Sequence, residues 1–150
     1  MFDQYEYFKS ISPDFPEIKS VERISGLSGM EEVLDNIRTV KPPVLLVEDD
    51  GNGYLSLLNG NFDHGFHSFS IVDKVKLNDS SSRKEVQDRC MSYAKKIFLR
   101  MMADGQNFGA PCYGFDSSRI DYQRIGPLVN NFHGYMFSYI LSDENFSLNG

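Results

Sequence analysis

The sequence predicts an α+β domain: an antiparallel, or mixed, β-sheet with two helices packed on one face. Three observations carry that expectation. Val44 to Glu48 is a short unbroken apolar run, the mark of a buried strand. Phe66 to Lys76 and the closing stretch Ile120 to Leu141 alternate at period two, as strands do. Ser82 to Met102 carries apolar residues at three- and four-residue spacing, as an amphipathic helix does. The order is helix, strand, helix, several strands, long helix, two strands. Grouped rather than alternating elements are the pattern of an antiparallel sheet with segregated helices.

The chain has 150 residues, which suits one domain with a core of its own. Residues 1–20 read as an N-terminal helix and linker, and 143–150 as a flexible tail. From Asp3 to Ile11 a short helix sets Tyr5, Phe8 and Ile11 on one side and stops before Pro13. Val21 to Leu27 is extended. Ser28 and Glu31 then have capping-box spacing, followed by Met30, Val33, Leu34 and Ile37 at helical intervals, a helix of about ten residues.

Pro42-Pro43 ends that helix and launches the buried strand Val44 to Glu48. Asp49 to Gly53 has the composition of a hairpin turn, with Tyr54 to Leu58 as the returning strand. Asn59-Gly60 signals another turn. In Phe66 to Lys76 one face carries Phe69, Ile71 and Val75 while the other is mostly polar. Beyond the polar linker Asn78 to Ser82 comes the clearest helix. Ser82 and Glu85 form a second capping box, Val86, Cys90, Ala94, Ile97, Phe98 and Met101 form its buried stripe, and Gly105 offers a left-handed stop. The loop Gln106 to Ser118 is rich in glycine and aromatics. In the last strand Tyr135, Phe137, Tyr139 and Leu141 share one face and Phe132, Met136 and Ile140 the other, so it requires cover on both sides.

Composition excludes some functions. The formal net charge of −6 argues against nucleic-acid binding, which needs clustered Lys and Arg. Arg83-Lys84 and Lys95-Lys96 both lie in a mixed-charge helix. Two cysteines make no disulfide framework, and a reducing cytoplasm is the simplest setting. No signal-like apolar run opens the chain and no segment reaches membrane-spanning length.

Catalytic and metal signatures are equally thin. Glu48 to Asn59 imitates a calcium loop at Asp50, Asn52 and Gly53, but Asn59 stands where a bidentate Glu is required. His64 and His67 beside Asp63 suggest metal ligands, yet three residues apart on a strand they point to opposite faces, and no partner pair exists elsewhere. His133 reads as a hydrogen-bonded strand histidine. Cys112 sits in a Gly-Ala-Pro-Cys-Tyr-Gly loop with no recognisable base. No catalytic residue, cofactor or metal is therefore expected. Phe62, His64, Phe66 and His67, read as lying on or beside a glycine-flanked linker, are the candidate subunit or partner contact, because exposed loop aromatics are favoured where a partner covers them.

A resemblance adds to this reading. Glu31-Glu-Val-Leu-Asp-Asn-Ile-Arg, Lys41-Pro-Pro-Val-Leu-Leu-Val-Glu-Asp49, Phe66-His-Ser-Phe-Ser-Ile-Val-Asp-Lys-Val75 and Ile125-Gly-Pro-Leu-Val-Asn-Asn-Phe-His-Gly-Tyr-Met-Phe-Ser-Tyr139 look like uncharacterised proteins of prophage-like clusters in gut Bacteroidales. The similarity runs from about residue 20 to 142. Those proteins resemble, in element order and size, the tail-terminator and tail-completion proteins of long-tailed phages. The resemblance implies a ring that caps the tail tube, contacts with itself and with other tail or neck proteins, no cofactor and no reaction. It also implies a cytoplasmic location during assembly and a place in the virion afterwards. The alternative is a small enzyme or ligand-binding domain with its pocket at the loop 106–118.

Overall fold

A computed structural model describes residues 2–36, 41–58 and 60–143, apart from the side chain of Leu27. Among these residues, helices α1 (Gln4–Ile11), α2 (Gly26–Asp35) and α3 (Ser80–Asp104) accompany strands β1 (Ser20–Ile24), β2 (Val44–Glu48), β3 (Asn52–Ser56), β4 (Phe62–Lys74), β5 (Asp121–Leu128) and β6 (Phe132–Asp143). The strands form one 6-stranded mixed sheet in the order β1-β2-β4-β6-β5, with β3 also paired to β4. The expected α+β class holds. The predicted Ile37, Asn59 and all of the expected tail but Asp143 lie outside the described residues.

Two helices do pack on one face, but they are α1 and α3. Against them lie Leu45 and Val47 of β2, Phe69 and Ile71 of β4, and Phe137, Tyr139 and Leu141 of β6. The stripe Val86, Cys90, Ala94, Ile97, Phe98 and Met101 is the buried side of α3, as its spacing predicted. Helix α2 sits on the opposite face, where Met30 and Leu34 pack on Ile24, Val44, Leu46, Val72 and Phe132. The cause is topological: β1 pairs parallel to β2, so the chain between them must cross over a face of the sheet.

Several local expectations are corrected. Asp49 to Gly53 does not fold β3 back on β2; both strands pair with β4, β3 along Phe62–Phe66 and β2 along Phe69–Val72. Strand β4 therefore begins at Phe62, and the segment expected as a linker is half of a hairpin. Helix α2 starts after Ser25, so Ser28 lies within its first turn instead of capping it. The cap of α3 is Asp79, whose carboxylate accepts from the Ser82 amide, while Ser82 Oγ accepts from the Lys76 amide. At Gly105 the backbone is not left-handed, with φ −86. Glycine is required there for space, because a Cβ would stand 2.3 Å from the Cys112 carbonyl oxygen.

Long β4 and β6, paired in register from Asp63↔Asp143 to Lys74↔Phe132, are the spine that positions everything else. The Asn130-Asn131 turn uses left-handed φ values of 59 and 58. Its side chains tie distant elements together, Asn130 donating to the Leu34 carbonyl of α2 and Asn131 to the Val75 carbonyl. No helix among the described residues is long and apolar enough to cross a membrane.

Candidate functional site

Alternation along β4 sorts the four predicted contact residues. Phe62, His64 and Phe66 fall on the face opposite α1 and α3, and His67 falls on the other. Register in the hairpin sets Ser56 against Phe62, Tyr54 against His64 and Asn52 against Phe66. Tyr54 thus joins the group: its ring stacks on His64 at 4.4 Å and lies 5.8 Å from Phe66, while Phe62 stacks on the same imidazole at 5.7 Å. On the β6 side His64 Nδ1 meets Ser142 Oγ at 2.6 Å, and Phe66 stands opposite Ile140.

This end of the face is open. Helix α2 covers the β1–β2 end, whereas Tyr54 remains 50% and Phe66 47% exposed. Met136 and Ile140, predicted to need cover, are half-buried. The hairpin tip continues the apolar surface, with Leu57 55% and Leu58 96% exposed. Phe62, His64 and Phe66 are therefore brought together. His67 is not: it is 7% exposed, under Phe2 and stacked on Tyr139. The opposed faces of the two histidines match the expectation from their spacing. Tyr54 was missed as a site residue because its neighbour His64 becomes visible only when the hairpin register is known.

On the α1–α3 face two clefts adjoin. The larger, of about 520 Å³, lies between the start of α1 and the 108–114 part of the glycine-rich loop, with exposed Phe108 and Tyr113 on its wall. The smaller, of about 320 Å³, lies between the β3–β4 hairpin and the end of β6. Phe2, Leu141 and Asp143 line both. Beneath them is a polar network that the sequence did not suggest. Asp50 binds His67 Nδ1 through Oδ1 at 2.6 Å and accepts the backbone N–H of Gln4 through Oδ2 at 3.3 Å. The Asp50 carboxylate, considered above as a calcium ligand, is thus engaged within the fold.

The remaining candidates have structural surroundings. Cys112 is buried beside Tyr7, and burial pushes its thiol up to about 11, so it is no activated nucleophile. His133 is buried, its Nε2 lies 3.3 Å from Asn131 Oδ1, and burial lowers its pKa. No three His, Cys, Asp or Glu side chains among the described residues are grouped so as to hold a metal ion. Comparison of the chain with protein-family models, curated proteins and solved structures found no match.

Proposed function

We propose that this chain is a non-enzymatic assembly protein of a tailed phage or prophage, a tail terminator or tail-completion protein that works as an oligomeric ring. The observation that supports it is the open end of the sheet face, where Tyr54, Phe62, His64 and Phe66 cluster beside half-buried Met136 and Ile140. Aromatics left half in water on a rigid sheet are what a subunit contact covers. The exposed Leu57 and Leu58 at the hairpin tip extend that surface beyond the sheet. A heterologous contact through such a projecting hairpin closes into a ring when its rotation permits. In this reading the protein is cytoplasmic during assembly and part of the virion afterwards, and its partners are copies of itself and neighbouring tail or neck proteins.

One observation favours a second reading, a ligand-binding domain or enzyme: the cleft of about 520 Å³ walled by the glycine-rich loop has the size of a small-molecule site.

Light scattering across a concentration series separates the two. The ring reading expects a mass well above the 17.1 kDa of one chain, falling on dilution. Replacing Tyr54 and Phe66 together by Ser is expected to give monomers with an unchanged melting temperature. A 17.1 kDa particle at every concentration counts against the ring.

A further inference from the structure

The tip of the β3–β4 hairpin is apolar and has little cover within its own chain. Leu58 is 96% exposed, and Leu55 and Leu57 are exposed before it. From Tyr54 to Phe62 the sequence carries no charged residue, in a chain whose formal net charge is −6. Gly60 takes a φ of +112, and a Cβ there would stand 3.0 Å from the Phe62 ring. That ring packs against the turn from which the leucines project.

The larger cleft is a receptacle of the matching kind. Its loop wall is pinned to the end of β6, where the Ser142 amide donates to the Gly114 carbonyl at 2.8 Å and the Asp116 amide to the Ile140 carbonyl at 2.9 Å. At Gly114 a side chain has no room against the Ser142 carbonyl. Phe108 and Tyr113 meet edge to face at 5.3 Å on that wall, and both are exposed. The cleft of about 520 Å³ is within the range, roughly 300–1,000 Å³, that encloses organic groups the size of a few side chains. Asp3 and Glu6 border it, so an acidic occupant would be repelled and an uncharged one is not.

The open aromatic face of the hairpin and this cleft lie on opposite faces of the sheet. A two-fold contact buries one patch twice, whereas a heterologous contact joins two different surfaces. We propose that the Leu57-Leu58 tip of one copy inserts into the larger cleft of the next copy, against Phe108 and Tyr113. The inference rests on the assembly reading and supplies what that reading lacks, the surface that receives the hairpin. It also assigns the cleft to a subunit contact in place of a small molecule.

Both native thiols are buried, so a cysteine placed at an exposed position reports contacts between chains. A Leu58→Cys chain is mixed with a Phe108→Cys chain and mildly oxidised. The mixed disulfide dimer is expected to exceed either like pair. Leu58→Cys mixed with Glu32→Cys, on the exposed side of α2, is expected to show no such excess. In light scattering, Leu57→Ser with Leu58→Ser, and separately Phe108→Ala with Tyr113→Ala, are each expected to raise the concentration of half-assembly about tenfold. Mixing those two variants is expected to give particles of two chains, because one intact tip and one intact cleft remain between them.

If the parent chain assembles, the cleft variant assembles equally and the mixed disulfide is no commoner than like pairs, the tip docks elsewhere. This inference then falls and the assembly reading stands. If the parent chain is a single chain at every concentration, both fall. Parent particles of two chains that give the mixed disulfide would keep the tip in the cleft, exchanged reciprocally, and remove the ring. If the Phe108–Tyr113 variant melts early, the disulfide experiment decides.

Discussion

The Tyr139 hydroxyl donates to Oε1 of Gln4 at 2.8 Å, across 135 residues of sequence and out of contact with water. The same amide donates through Nε2 to the Glu48 carbonyl at 3.3 Å and the Ser68 carbonyl at 3.0 Å. One buried side chain in the first turn of α1 thus touches β2, β4 and β6. Burial holds the Tyr139 pKa well above the ordinary tyrosine value, so the hydroxyl keeps its proton and remains a donor. Gln4→Ala strands that hydroxyl and the two carbonyls. It is expected to cost about 2–4 kcal/mol, the penalty of several unmet buried groups. Urea denaturation checks this; a midpoint like that of the parent chain would mean α1 is not held by this amide.

Why Gln4 escaped sequence reasoning is instructive. A polar residue at the start of an amphipathic helix belongs by default to its wet side, and only the tertiary placement of α1 shows three partners around it. By contrast, the α3 stripe and the β6 alternation were legible because helix and strand periods are local. Which face α2 takes was not: Met30 and Leu34 announce an apolar side, but the parallel pairing of β1 with β2 decides where it goes. The candidate contact was half legible. Phe62, His64 and Phe66 share a face by period, whereas Tyr54 joins them only through the β3–β4 register.

The core placement predicts a sharp response at Ile97, which is 1% exposed on the inner side of α3. Ile97→Asp buries a carboxylate without a partner and is expected to unfold the domain, whose whole stability is of order 5–15 kcal/mol. Ile97→Val removes one methylene and is expected to cost about 1 kcal/mol. Circular dichroism melts distinguish them, and a folded Asp variant with the parent melting temperature would refute the packing.

At the start of α3 the two capping possibilities differ measurably. Asp79 accepts the Ser82 amide at 3.1 Å, whereas Ser82 Oγ serves only the preceding loop. Asp79→Ala is expected to lose about 1 kcal/mol and Ser82→Ala clearly less. The reverse order of the two denaturation midpoints would restore the serine as cap.

Alkaline pH should be the weak side of this fold. Burial pushes the Cys90 thiol up to about 12 and the Cys112 thiol up to about 11. Tyr7 is raised by burial and by its hydrogen bond to Asp104, and Tyr139 by burial. Each group is an acid whose folded pKa lies above its unfolded value, 9.0 for the thiols and 10.0 for the tyrosines. The folded state therefore holds these protons more tightly. Their contribution is intact below pH about 9 and is lost as pH climbs toward and through the folded values. Urea midpoints at pH 7.5, 9 and 10.5 should be similar for the first two and clearly lower for the third. Replacing Cys90 and Cys112 together by Ala removes the thiol share, so the fall from pH 9 to 10.5 should become shallower. At pH 8 both thiols should resist an alkylating reagent until urea exposes them. A midpoint unchanged between pH 9 and 10.5, or rapid alkylation of the folded chain, would show that these groups are not buried as described.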